Sequence, residues 1–490
     1  MISRKNYQMK PKTIKFNKNF VGRNHELEKL SEISNSGEAS IVVVYGRRRV
    51  GKTELLEQAF RKRNILKFEG IEGLSQPEQM EHVMWQFSEY SNNALLAQVK
   101  IRSWTNFLKL IADVVKKGIW TLYFEEVQWL ADYKDKFISE LKYFWDNHFR
   151  HNQKLILVLC GSSPSFMVNN ILHSKALYNR SLYEISLKEF SLTETKQFLK
   201  KRSDREIMDA YLSVGGIPEY LKWINQETSV FLSLCKNSFT AGSFFSHEYK
   251  RIFISSLARN KNYKKIIDFL SKRSFADRNQ ILKHLKLQSG GTLSFLLLDS
   301  ELCGFIQKYT PFNLKENSLL ARYGISDAYL QFYFKFIKPI ERNIDEGNFN
   351  SNPSLALNTN SHYKWLGFAF ERMCRKNQRL FAKILGFESV RYKSGAFFNR
   401  RTDMEKRGYQ IDLVYDRDDK VYTLCEVKYL QSKVTPKIIE EFEKKLALFP
   451  NPKNSTIHKV LITTEGADDS LTNYGYFDRI ITLRDIFDAG

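Results

Sequence analysis

Long apolar runs are missing from this 490-residue chain: none approaches the roughly 18 consecutive hydrophobic residues that a membrane helix needs. No helical membrane span is expected. The opening stretch MISRKNYQMKPKTIKF lacks the apolar core and small-residue cleavage site of a secretory signal, which leads to the expectation of a cytoplasmic protein. Cysteine is sparse, and Cys160, Cys235, Cys303, Cys374 and Cys425 share no C-x-x-C spacing. This argues against a zinc site or a disulfide framework and for reduced, structural thiols. Internal repeats and low-complexity tracts are absent. Acidic residues are also short. With 54 Asp and Glu against 76 Lys and Arg the formal charge is +22, which favours a polyanionic partner whose counterions are released on binding. The competing reading is a surface that is basic throughout and has no nucleic-acid role.

What is present divides the chain into several domains, since its length suits roughly three cores of ordinary size. Residues 1–19 carry only basic charges and read as a solvated arm. Residues 20–190 alternate apolar strands (IVVVYG, WTLYF, KLILVLCG) with amphipathic helices, the signature of a parallel α/β sheet. Residues 191–255 read as helical, as EFSLTETKQFLKKR shows with its Ser/Thr start signal and helical spacing. Residues 256–345 run helix, helix, a turn at Ser289-Gly290-Gly291, helix and short strand, the order of a winged helix-turn-helix. The Asn- and Ser-rich stretch 346–363 reads as a linker, and residues 364–490 as a further α/β domain with strands IDLVYD, VYTLCEV, KVLITT and RIITL.

The sharpest motif is Gly46-Arg47-Arg48-Arg49-Val50-Gly51-Lys52-Thr53, which follows the strand IVVVY and opens a helix at Lys52. Strand, glycine loop and helix together make a P-loop. Backbone N–H groups curl around phosphate oxygens, the helix N-terminus adds partial positive charge, Lys52 reaches the β- and γ-phosphates, and Thr53 holds magnesium. A second buried strand ends at Glu125 and Glu126, where acids serving magnesium and water belong. Glu125 stands where Asp is usual and extends about 1.5 Å further. Glu126 is the expected base that orients the attacking water. The alternative is an acidic turn after a core strand, so ATP binding is the firmer expectation and slow hydrolysis a consistent one.

Together with FVGRNHEL at 20–27, LCGSSPSFM at 159–167 and GGIPEYL at 215–221, these motifs resemble the archaeal-type ATPases of the STAND group within the AAA+ class, over roughly the first 340 residues. The resemblance implies a nucleotide-region contact by Gly22 and Arg23, γ-phosphate sensing by Ser162 and an adenine contact by Pro218. It also implies a phosphate-neutralising Arg180, although Asn179 replaces the usual Gly. Plain structural roles compete for each: a loop start for Ser162, a turn for Pro218, a surface ion pair for Arg180. The resemblance continues at YGISDAYLQFYFKFI, 323–337, where Asp327 suits a helix N-cap better than a catalytic role.

In GYQIDLVYDRDDKVYTLCEVKYL, period-two alternation puts Glu426 and Lys428 on one strand face. A hairpin through 416–420 would bring Asp412 beside them, with Ile411, Leu413, Cys425 and Val427 packing the other side. Two hard carboxylates can hold magnesium against a scissile phosphate while the lysine stabilises the attacking water or developing charge. The pattern resembles the PD-(D/E)xK nuclease superfamily, and archaeal-type ATPases often carry such a domain. Glu371 in WLGFAFERMC matches that superfamily's helix acid and would be a third metal ligand, although Gln410-Ile411 stands where a Pro sometimes precedes the Asp. A charged hairpin face with no chemistry is the competing reading.

The expected architecture is therefore α/β: a P-loop NTPase parallel sheet with a helical subdomain, a winged helix-turn-helix and a C-terminal restriction-endonuclease-like domain. Its expected cofactors are ATP and Mg2+. The functional expectation is an ATP-binding switch coupled to a metal-dependent nuclease acting on DNA. The alternative is an ATP-regulated DNA- or protein-binding regulator with an inactive nuclease-like domain. Self-association and a protein partner are both compatible with the sequence.

Overall fold

The computed structural model describes residues 16–134, 136–174, 182–255, 260–273, 275–288, 290–309, 312, 321–399, 409–452 and 454–489. The chain forms two compact units, one of residues 1–189, 251–261 and 294–304, the other of residues 190–250, 262–293 and 305–490. Among the described residues no helix is long and apolar enough to cross a membrane.

The first unit is built on five parallel strands, β1 (Ser40–Tyr45), β2 (Asn64–Glu69), β3 (Trp120–Glu125), β4 (Leu155–Gly161) and β5 (Leu182–Ser186), in the order β2-β3-β4-β1-β5. Every position of β1, β3 and β4 is buried, which is why these strands read as unbroken apolar runs rather than alternating ones. The flanking helices Gln76–Ser91, Trp104–Val115 and Lys136–Asn147 place Met84, Phe107 and Phe137 in the same core as Phe68 and Phe124. Edge-to-face rings tie it together, Trp104 on Phe137 at 4.7 Å and Phe68 on Phe107 at 5.0 Å between centroids. Each such buried ring contributes about 1.5–3 kcal/mol of hydrophobic stabilisation. Because β1 lies between β4 and β5, the loop after it leaves from mid-sheet, where parallel α/β folds place ligand sites.

The second unit opens with the helices Leu192–Phe198, Asp204–Val214, Pro218–Ile224 and Val230–Phe239 and the first part of Phe244–Ser255, up to residue 250. Ser191 and Glu194 close a capping box on the first of them. Helices Asn262–Ser271 and Arg278–Leu285 follow, with β6 (Ala276–Asp277), β7 (Ile306–Tyr309) and β8 (Arg322–Ile325) making an antiparallel sheet ordered β6-β8-β7; helix Gly291–Leu302 starts in this unit, but from residue 294 it belongs to the first. Asp327 caps helix Ala328–Phe332, its Oδ1 accepting the Leu330 N–H at 2.7 Å.

The C-terminal sheet comprises β9 (Tyr392–Asn399), β10 (Tyr409–Arg417), β11 (Val421–Lys428), β12 (Thr456–Thr463) and β13 (Arg479–Ile481), in the order β13-β12-β11-β10-β9. Strands β9, β10 and β11 are antiparallel neighbours, while β12 and β13 join in parallel. Helix Lys437–Leu446 makes the crossover that a parallel β11–β12 pair requires. The helix expected from residue 365 starts earlier, at Thr359, because the Asn358 side chain accepts the Ser361 N–H and caps it. The expected linker 346–363 thus already contains its first turn, as well as a 3₁₀ turn at Pro353–Ala356.

Candidate functional sites

The loop after β1 starts at Gly46, where an added Cβ would lie 2.2 Å from the Leu187 carbonyl oxygen, so no side chain fits. It then turns through left-handed conformations at Arg49 (φ 71°) and Gly51 (φ 91°) into helix Lys52–Phe60. The buried Lys52 ammonium folds back on the loop, donating to the Gly46 oxygen at 3.0 Å and the Arg47 oxygen at 3.2 Å. Arg23 clamps the same loop from outside: its guanidinium donates to the Val50 oxygen at 3.0 Å and the Lys188 oxygen at 2.8 Å. Gly22 and Arg23 both take positive φ to aim that side chain. Arg47 and Val50 are buried, and Arg48 reaches Glu72 at 3.4 Å.

Strand β3 delivers Glu125 beside the loop. The Thr53 hydroxyl donates to its carboxylate, and the Lys67 ammonium, projecting from the neighbouring β2, pairs with it. The extra methylene relative to Asp is thus accommodated between a hydroxyl and a lysine. Burial alone would raise the Glu125 carboxyl, but Lys67 together with the Thr53 and Tyr123 hydroxyls outweighs it and leaves the group below its ordinary value. Burial would likewise lower Lys67, and Glu125 reverses the sign.

Glu126 turns away through a left-handed backbone (φ 50°). Its Oε2 accepts the Ser162 N–H at 3.1 Å, the Ser162 hydroxyl at 2.6 Å and the Gln128 amide at 2.5 Å. The expected base and the expected γ-phosphate sensor therefore hold one another. Gly161 makes room for this, because a Cβ there would fall 2.7 Å from Gln128 Oε1 and 2.5 Å from Met167 Sδ. Residues 294–304 belong to the same unit. There Cys303 is buried and its thiol raised, chiefly by burial and then by Asp299, with Arg47 and Lys52 opposing. Pro218 opens helix Pro218–Ile224 in the second unit, after Gly215 at φ 75°. Arg180 lies outside the described residues.

The second cluster lies on β10 and β11. Asp412 Oδ2 accepts the Val427 N–H at 3.0 Å, and its Oδ1 accepts the Gln410 amide at 2.9 Å. The same amide donates to Glu371 at 3.2 Å, and the Arg375 guanidinium lies 3.5 Å from Glu371. Glu426 is 1% exposed and takes the Lys445 ammonium on both oxygens, at 2.7 and 2.6 Å, with Lys428 at 3.1 Å. Glu371, Asp412, Glu426, Lys428 and Lys445 all line one cleft of about 820 Å³. Burial and then Glu371 raise the Asp412 carboxyl; burial and then Asp412 raise Glu426. Burial pulls the Lys428 ammonium down, but Glu426 leaves it above its ordinary value.

Among the described residues, no three Asp, Glu, His or Cys side chains stand ready to hold a metal ion. Of the expected ligands, Glu371 and Asp412 are instead joined by the Gln410 amide, and Glu426 is neutralised by Lys445. The chemistry of the donor set still suits a hard divalent cation: three carboxylates facing one cleft, two of them raised by burial and mutual charge. On the loop side, one hydroxyl and one carboxylate converge beside Lys52, which suits a magnesium nucleotide. Sequence reasoning missed Lys67, Gln128 and Lys445. Lys67 and Lys445 carry no local signal, whereas Gln128 follows the acids by two residues and was within reach.

A mid-sheet glycine loop with its lysine, hydroxyl and strand acids defines a P-loop nucleotide-binding protein. Residues 20–224 match the family described as an ATPase domain predominantly from Archaea, and the chain carries an archaeal-type ATPase domain of the P-loop class. An uncharacterized protein of Methanocaldococcus jannaschii is 26% identical over 435 residues, 88% of this chain and 92% of that one. A short ATP-binding protein of the same organism is 44% identical over 46 residues, 9% of this chain and 78% of its own length. Among solved structures, a Walker-type ATPase of Pyrococcus abyssi overlaps 67% of this chain and 99% of its own, at 18% identity and a TM-score of 0.49.

Proposed function

We propose that this ATPase is a nucleotide-driven switch for a C-terminal, magnesium-dependent nuclease-like site that acts on DNA. The observation that carries the reading is the convergence of Asp412, Glu426 and Lys428, with Glu371, in a single cleft. There Glu371, Asp412 and Glu426 would hold the ion, which when bound supplies Lewis-acid polarisation of the phosphodiester. Lys428 stabilises charge as the phosphate is attacked, and Gln410 keeps Glu371 and Asp412 turned toward the same point. In the ATPase unit Lys52 takes the β- and γ-phosphates, Thr53 and Glu125 take the magnesium, and Arg23 keeps the loop in shape. Glu126 orients the attacking water once Ser162 and Gln128 release it.

The helix and strand order of residues 262–325 supports a winged helix-turn-helix. Its third helix exposes Phe295, Leu298 and Leu302, a surface ill suited to phosphates, so this module suits a protein contact better than DNA.

A second reading rests on one specific observation, the Lys445 ammonium on both oxygens of Glu426. A lysine there can replace a cation, leaving an ATP-regulated DNA- or protein-binding regulator whose nuclease-like domain is inactive. Incubating the full-length protein with plasmid and oligonucleotide DNA in magnesium or manganese, with and without ATP, separates the two. The first reading requires cleavage that Asp412→Ala abolishes while ATP binding persists. Cleavage that survives Asp412→Ala would overturn the site, and an inert wild type with intact DNA or protein binding would favour the regulator.

A further inference from the structure

The helix that carries Glu371 also carries Phe368, one turn earlier on the same face, and 61% of its surface is open to solvent at the cleft. A second exposed ring is Phe398. It pairs in register with Gln410, so the two side chains share a face of the sheet, and Phe398 is 49% exposed. Gln410 is the residue whose amide bridges Glu371 and Asp412. Lys428, Lys444 and Lys445 line the same cleft, interleaved with its carboxylates: Lys428 pairs with Glu426 and Glu441, Lys444 with Glu440 and Lys445 with Glu426. The volume, about 820 Å³, falls in the range of cavities that hold a ligand rather than a water.

Resting on the nuclease-like reading of this cleft, we infer that it takes single-stranded nucleic acid, with an unpaired base stacked on Phe368 and the backbone running past the lysines toward Asp412 and Glu426. In a duplex the base faces lie against one another, and an exposed ring at this position meets only sugar and phosphate. An unpaired base presents its π-face, and base–aromatic stacking of this kind tolerates any sequence. The other exposed ring, Phe398, gives a neighbouring base a second platform on the same face.

The test uses the full-length protein and fluorescence anisotropy with three labelled ligands: a single-stranded DNA oligonucleotide, an RNA of the same sequence and the blunt DNA duplex. Single strands should bind more tightly than the duplex. Phe368→Ala should weaken single-strand binding by about 5- to 150-fold, the span of one lost stack, and leave the duplex unchanged. Phe368→Tyr should restore it. A strand carrying 2-aminopurine should lose emission on the wild type and keep it on Phe368→Ala. Binding of DNA, RNA or both single strands through Phe368 supports the inference. Equal binding of duplex and single strand, no binding of any strand, or full binding by Phe368→Ala overturns it. Cleavage run in parallel keeps the two readings apart. Phe368-dependent binding without cleavage sinks only the nuclease reading, and duplex cleavage indifferent to Phe368 sinks only this one.

Discussion

Lowering the pH from 7 to 4 ought to loosen the second unit at the helix that presents Phe368 and Glu371. His362 sits in that helix, 5% exposed, in a box of aromatic rings. Trp365 stacks on it at 6.1 Å, and Phe336 and Phe332 meet it edge-on at 5.7 and 6.1 Å. Its Nε2 has no hydrogen-bond partner among the described residues. Burial therefore disfavours the imidazolium and lowers the pKa from 6.5 to about 4. The sign follows from the unfolded chain, which takes up a proton near pH 6.5 that the folded chain refuses until about pH 4. Stability from this residue is fully present above pH 6.5, declines as the pH falls, and levels off below 4. A gap of about 2.5 pH units at about 1.4 kcal/mol each is about 3.5 kcal/mol in full, of which about 3 kcal/mol is lost between pH 7 and pH 4. Urea unfolding of wild type and His362→Phe at pH 7 and pH 4 measures it, because every other titrating group cancels in the difference. The wild type should lose about 3 kcal/mol more than the variant. Parallel pH dependences would mean that the imidazole is charged or solvated in the folded protein, and the burial account would fail.

Two further perturbations probe the ATPase unit. Lys67→Met leaves the buried Glu125 without its ammonium and should cost about 3–5 kcal/mol in urea unfolding, whereas adding Glu125→Gln should recover most of it. Equal losses in the single and double variants would show that the pair is not what balances the site. Glu126→Gln should retain ATP in equilibrium binding but abolish phosphate release, since an amide cannot accept the water's proton; hydrolysis at the wild-type rate would remove Glu126 from the mechanism.

The legible parts of the molecule are those where one residue type answers a local physical demand. Gly46 tolerates nothing larger, Lys52 and Thr53 follow it into a helix, and the sheet order puts that turn at mid-sheet. The hairpin of β10 and β11 was readable from alternation, which placed Asp412 beside Glu426. Alternation alone implied one wet face, yet Ile411, Leu413, Cys425 and Val427 are buried and so are Asp412 and Glu426, because helices Thr359–Lys376 and Lys437–Leu446 both pack near this pair of strands. The start of the first of these helices was hidden by composition. Asn and Ser cap helices as readily as they break them, so the stretch around Asn358 read as a linker. Strand β2 was hidden by its own chemistry, since NILKFE places a lysine and a glutamate where a core strand is expected to be apolar.

That same lysine exposes what local reading cannot reach. Lys67 neutralises Glu125 from a neighbouring strand about 58 positions earlier in the chain, and Lys445 neutralises Glu426 from a crossover helix 19 positions later. Neither partner sits at a spacing that a helix or hairpin would reveal; only the order β2-β3 and the parallel β11–β12 crossover bring them in. In a chain with 22 more basic than acidic charges, each buried carboxylate has many lysines to choose from, and the fold does the choosing. The consequence at the ATPase site is mechanical rather than acid–base. Because Glu125 holds the Lys67 ammonium above its ordinary value, that lysine stays charged at neutral pH and can vacate the carboxylate only by swinging its four-carbon stem aside. Access to Glu125 should thus respond to ionic strength and to the Lys67 side chain while showing little dependence on pH between 6 and 9.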